Sequence, residues 1–197
     1  MIIRTTTLLL LSLLLSGCAT SYYAEEARTD RVEANMLLRK VVTDKIIVLT
    51  PTFSDKVKAV RNIGNDKAAA KVEQEAKDYA LQMISSFNTY YNVGAYVFMP
   101  DSAFHRYAVD QKGTFFLDNN AELDPSIQYQ DADPIKVILY DEYKLRVLYG
   151  QELAPNPFPN EIEVGSNVYS VFFTSTADKL NKAVEVFNEK LLTFVSN

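Results

Sequence analysis

One cysteine, one histidine and no tryptophan stand among 197 residues. The single cysteine, Cys18, has no partner within the chain, which excludes an intrachain disulfide framework and dithiol redox chemistry. The single histidine, His105, excludes multi-histidine metal sites and leaves any hydrolytic centre with one imidazole. Glycine is sparse, and Gly94, Gly113, Gly150 and Gly165 are too scattered to cradle a phosphate. Basic residues are outnumbered, 20 against 25 acidic, and no run of lysine and arginine interrupts that balance. An acidic chain without a basic stripe argues against nucleic acid as a partner. After Cys18 no stretch approaches the ~18 consecutive apolar residues that a membrane-crossing helix needs.

The first eighteen residues carry the most specific signal. Met1-Ile2-Ile3-Arg4 is a singly basic lead, Thr5-Thr6-Thr7 follows, and residues 8–15 are apolar except for Ser12. A basic start, a short apolar core and small residues behind it describe a secretory signal too short to span a bilayer. Its end, Leu15-Ser16-Gly17-Cys18, resembles the lipobox of bacterial lipoprotein signals. That resemblance implies cleavage between Gly17 and Cys18, then acylation of the Cys18 thiol and the new amino terminus. Each buried methylene contributes about 0.8 kcal/mol, so several acyl chains on one residue hold firmly where one binds reversibly. In two-membrane bacteria an aspartate after the cysteine commonly marks inner-membrane retention. Ala19 therefore implies the outer membrane, with the domain facing the periplasm. Removing 17 residues would leave 180, enough for one domain with a real core.

Residues 18–42 read as anchor, tether and a short helix, in which Ala27, Val32, Met36 and Leu37 approximate an apolar stripe. The globular domain spans 43–197. Residues 45–50 form a β-branched run ended by Pro51, a buried strand. Residues 51–65, with Pro51, Ser54, Asn62 and Gly64-Asn65, read as a loop. Asp66 offers a cap for a helix running to about residue 91, its face set by Val72, Ala76, Ala80, Met83 and Phe87. A strand at 95–99 follows, so strand, helix and strand suggest a crossover between parallel strands. Lys112-Gly113 marks a turn between 106–110 and 114–117, which form a hairpin or a helix followed by a strand. Residues 135–140 and 144–149 should be antiparallel neighbours joined through a bulge or longer loop. Pro155, Pro157 and Pro159 exclude a central strand there. Residues 161–164 and 168–174 suggest a second hairpin. Ser175 caps a final helix striped by Leu180, Val184, Phe187, Leu191 and Phe194.

Few residues offer chemistry. His105 stands near Asp101-Ser102 without a nucleophile-elbow pattern, and an isolated histidine is ordinarily structural or merely exposed. Residues 118–124 place oxygens at alternate positions as a calcium loop does. However, Leu123 occupies the sharp-turn glycine position and Tyr129 the twelfth-position glutamate, so a solvated acidic loop is the better reading. The sequence calls for no cofactor and no metal. Tyr90 and Tyr91 at a helix end, and Phe158 in its proline-rich loop, are candidate partner contacts. Each has a packing alternative, for Phe158 a stiff connector with its ring tucked inside.

The order of elements resembles a group of bacterial envelope lipoproteins. It includes the curli-secretion lipoprotein, the penicillin-binding-protein activator and related neisserial surface lipoproteins. The shared texture is Ile46-Ile47-Val48-Leu49-Thr50-Pro51, a helix, Ala95-Tyr96-Val97-Phe98-Met99-Pro100, then a strand like 135–140, antiparallel strands and a terminal helix. A long first loop and the proline-rich insertion depart from it. A thioredoxin-like arrangement also fits this order, and without paired cysteines would be redox-inactive. The expected fold is a single α/β domain, a mixed sheet of five to seven strands with two main helices packed on it. The resemblance implies a non-enzymatic binding or assembly role with an envelope protein partner; the competing expectation is a small hydrolase or modifying enzyme using His105 and nearby carboxylates. Cys18→Ser should abolish acyl labelling of the protein. Retention of label by that variant would contradict the lipobox reading.

Overall fold

The computed structural model describes residues 28–141, 144–163 and 176–196. Gly17, Cys18, the expected Ser175 cap and the second strand of the expected 161–174 hairpin lie outside them. Lys45–Thr50 (β1) is a strand whose side chains alternate between faces, and Ile46, Ile47, Val48 and Leu49 are all buried. A strand apolar on both faces belongs in the middle of a sheet. β1 accordingly pairs in parallel with Ala95–Pro100 (β2) on one side and Ile135–Asp141 (β3) on the other. β3 runs antiparallel to Lys144–Tyr149 (β4), with a register irregularity between Leu139 and Asp141 where the sequence suggested a bulge. The far edge of β4 takes both Glu152–Leu153 (β5) and Glu161–Glu163 (β6). The result is a mixed, open six-stranded sheet in one α/β domain.

Five helices accompany the sheet among the described residues: 28–43 (α1), Ser54–Asn62 (α2), Asp66–Tyr90 (α3), Phe104–Val109 (α4) and Thr176–Val195 (α5). Ile46, Val48, Phe98 and Val137 join α1, α3 and α5 in one core, centred on Met83, Phe87, Val184 and Phe187. Ile47, Leu49, Val97 and Met99 face a second core with Tyr107 of α4, Phe115 and Phe116. Each fully buried aliphatic or aromatic side chain contributes about 2 kcal/mol, so these two cores outweigh the exposed ion pairs. Lys136 of β3 is buried among apolar neighbours. Its Nζ bonds the Gly150 carbonyl and lies 4.4 Å from the Phe104 ring centre, and burial lowers its pKa.

Four expectations need correction. Residues 51–65 are not simply a loop, because α2 occupies most of them. Only Val57 of that helix is buried, packing with Ala69 and Val72 of α3, so its periodicity is faint in sequence. α3 is capped by Asn65 rather than Asp66, its side chain accepting the Ala68 N–H at 3.0 Å. In α1 the packed stripe is Ala34, Leu37 and Val41, while Val32 and Met36 face outward. Of the two readings for 106–117 the helix holds, but the strand expected after it is reduced to an isolated bridge at Leu117. Leu117 then returns to β2, its N–H donating to the Phe98 carbonyl at 2.9 Å.

α1 lies along the amino-terminal edge of the parallel strands. Its Asp30 and Glu33 line a groove with Tyr149 and Glu152, and Tyr149 pairs with Ile135 at the start of β3. At its other end the Val41 carbonyl passes so close to Gly94 that a Cβ there would sit 2.0 Å from it. Asp131 clasps this edge. Lys40 Nζ of α1 approaches its Oδ2 at 2.7 Å, and the Asp133 N–H donates to Oδ1 at 2.9 Å. The Tyr129 hydroxyl lies 2.9 Å from Asp131 Oδ2 and 2.8 Å from the Lys45 carbonyl, and the Asp131 N–H donates to the Tyr107 hydroxyl at 3.1 Å. Partial burial opposes ionisation of Asp131, but Lys40, the Asp133 N–H and Tyr129 outweigh it and hold the carboxyl below its usual range. A carboxyl depressed in the folded state stabilises above the unfolded value, about 4, and loses that contribution as pH falls through the folded value. Asp131→Asn should therefore lower the urea midpoint at pH 7, with the gap from wild type closing below about pH 4. A gap independent of pH would contradict the clasp.

Candidate functional site

β1 ends at Thr50-Pro51, and the chain must leave the sheet there because proline has no N–H to continue the ladder. It turns through Phe53, whose φ of 50° and ψ of 31° are left-handed, and enters α2 at Ser54. The turn is fixed by hydrogen bonds. The Thr52 N–H donates to Asp101 Oδ1 at 3.1 Å, its hydroxyl bonds the same oxygen, and its Oγ1 lies 2.7 Å from Ser54 Oγ. Thr50, itself buried, donates to the Met99 carbonyl at 3.3 Å and ties the ends of β1 and β2 together. The Phe53 ring packs edge-on to Tyr79 of α3, centres 5.8 Å apart.

A second turn faces the first. The Asp118 carboxylate accepts the N–H groups of Asn120 at 2.8 Å and Glu122 at 2.9 Å, and this pushes Ala121 into a left-handed φ of 59°. The Glu122 N–H is the largest influence holding the Asp118 carboxyl below its usual range; partial desolvation opposes it, and Asn120 and Lys77 assist. These oxygens are thus engaged by donors of the chain itself. Phe53 and Ala121 are the positive-φ non-glycine residues among those described. Ala121 lines one cleft, and Phe53 lies between two of its lining residues, Thr52 and Ser54.

The cleft has a volume of about 440 Å³ and opens at the carboxyl ends of β1 and β2, between α2, α3 and the 117–121 turn. Thr52 and Ser54 supply hydroxyls, Val57, Ala76, Ala80 and Leu117 an apolar floor, and Lys58, Arg61 and Lys77 positive charge against the single carboxylate of Glu73. Its lining is net cationic on a chain with a formal charge of −5. Arg61 meets Glu73 at 2.6 Å and Lys77 meets Glu122 at 3.2 Å, all four side chains being about half exposed. Such solvated pairs are worth at most about 1 kcal/mol, so an incoming anion can exchange for either carboxylate. Lys58 forms no ion pair with a described residue. The arrangement can bind an anionic group by charge, a guanidinium fork and hydroxyl donors.

Sequence reasoning placed its candidates elsewhere. Phe158 is 1% exposed, its ring edge-on to Phe194 of α5 at 6.3 Å, so it anchors its own loop and is not a surface contact. Tyr91 is 5% exposed and stacks on Phe187 at 5.9 Å, which removes it from a partner's reach as well. Tyr90 is half-buried against the same core. His105 sits on the outer side of α4, exposed, with no bond to a described carboxylate and no place in the cleft. The cleft residues went unnoticed because Lys58 and Arg61 belong to the helix read as loop. Their signal was a Ser54-x-x-x-Lys58-x-x-Arg61 spacing directly after a buried strand.

Open α/β sheets take ligands at the carboxyl ends of their parallel strands, and this α/β protein has a polar cleft in that place. No protein-family model, curated protein or solved structure matches the chain. Left-handed geometry costs a residue with a Cβ roughly 1 kcal/mol, so Ala121→Gly should raise stability by about 0.5–1 kcal/mol in urea unfolding. A lowered midpoint would contradict the strained turn.

Proposed function

We propose that this chain is a lipid-anchored protein of the bacterial envelope with a non-enzymatic binding or assembly role. Acylated Cys18 holds it at the periplasmic face of the outer membrane, and the cleft at the carboxyl edge of the sheet receives an acidic segment of an envelope protein partner. The observation that carries this reading is the cleft's net positive lining, set where open α/β sheets take their ligands on an otherwise acidic domain. The cations are half exposed and their present pairs are weak, which suits a protein segment docking from solution. The lipobox resemblance supplies the location. The α1 edge, nearest the anchor in sequence, lies at the opposite end of the parallel strands from the cleft, so an anchored domain would present the cleft to its surroundings.

A photo-crosslinking residue at Asp55, exposed beside the cleft, provides the test in living cells. It should capture a partner through a peptide rich in aspartate and glutamate. Lys58→Glu with Arg61→Glu should reduce that capture at least roughly tenfold at unchanged protein abundance, since like charges facing each other cost several kcal/mol. Capture that survives the double reversal, or that maps to a basic or apolar peptide, would contradict the assignment.

A further inference from the structure

The described part of α1 starts ten positions after Cys18 in the sequence, and its outward side exposes several apolar side chains. Val32 is 65% exposed, Met36 48% and Val42 48%. With Arg28, Arg31 and Arg39, also exposed, they fall within an arc of roughly 140° at 3.6 residues per turn. The acidic residues of the described helix, Asp30 and Glu33, lie off that arc and turn toward the groove beside Tyr149. None of the three arginines makes an ion pair with a described residue. A core-packing helix would carry charge of both signs on its solvent side and leave its apolar residues inside. Arginine interleaved with exposed apolar side chains, without acid, is the composition of a helix lying in a membrane interface.

Position agrees with composition. The nine residues between Cys18 and Arg28 can span at most about 35 Å, so an acylated Cys18 keeps α1 within reach of the bilayer. We propose that the outward face of α1 lies on an anionic lipid surface. The arginines meet phosphate head groups, and Val32, Met36 and Val42 dip into the boundary beneath them. Proximity to the bilayer rests on the lipoprotein reading above; the lipid-binding chemistry of the face does not.

The test uses the protein carrying Cys18→Ser and Met36→Cys, so that an environment-sensitive fluorophore has one thiol to occupy. It is titrated with vesicles of phosphatidylglycerol or of phosphatidylcholine. The fluorophore should enter an apolar environment with phosphatidylglycerol and not with phosphatidylcholine, and high salt should reverse the change. Adding Arg28→Gln, Arg31→Gln and Arg39→Gln should weaken binding to phosphatidylglycerol roughly 100-fold, at about 1 kcal/mol per charge near the surface. All three side chains are exposed, so the variant should keep its urea midpoint and any loss reports on lipid contact. An equal response to both lipids, or an affinity indifferent to the arginines, overturns the proposal. The mass of the wild-type protein separately reports acyl chains on Cys18. Their absence would overturn the anchor while the vesicle titration still decides the face of α1.

Discussion

The two-sided burial of β1 is the constraint on which the rest of the molecule depends. Six residues, Lys45–Thr50, carry Ile46 and Val48 into one core and Ile47 and Leu49 into the other. At about 2 kcal/mol per buried side chain, no arrangement that exposed either face of this strand would compete. Central placement follows, and with it layers on both sides: α1, α3 and α5 on one, α4 with the Phe115-Phe116 segment on the other. The polar contacts are secondary in energy and specific in placement. The Asp131 clasp fastens α1 to the start of the strand, and the Thr52–Asp101 contact fixes the turn at its end.

Parallel pairing gives the sheet a direction. β1, β2 and β3 start together at the edge where α1 crosses, and β1 and β2 finish together at Thr50 and Pro100 beside the cleft. Proline ends both strands, so the backbone must turn away and leave the strand ends uncovered. Two residues accept left-handed geometry nearby, Phe53 in the turn after β1 and Ala121 in the turn held by Asp118. Strain of this kind concentrates where a site must be shaped, and here Ala121 lines the cleft while Phe53 lies between its lining residues Thr52 and Ser54.

Much of this was legible in the sequence, and what failed did so for physical reasons. α3 and α5 carry long periodicities, and β1, β2, β3 and β4 short runs rich in β-branched or aromatic residues, which burial later enforces. α2 was hidden because nine residues with one buried side chain leave almost no amphipathic trace. The face of α1 was misread because Val32 and Met36 look as apolar as Ala34, Leu37 and Val41, and only tertiary packing chooses between two adjacent stripes. Phe158 could not be placed from a proline-rich string, since its burial depends on Phe194, far away in the chain. The cleft was invisible for a similar reason: its cations come from α2 and α3, and its hydroxyls from the turn between β1 and α2, which only the fold assembles.

The proposed orientation puts the α1 edge against the lipid and the cleft edge away from it. Energy transfer measures this directly in the acylated protein reconstituted into vesicles containing acceptor lipids, with a donor at Asn35→Cys on α1 or Lys58→Cys at the cleft. A six-residue strand spans about 20 Å, so the donor at position 58 should stand farther from the lipid acceptors than the donor at position 35 by about that distance. Equal transfer from the two positions, or stronger transfer from position 58, would contradict the account.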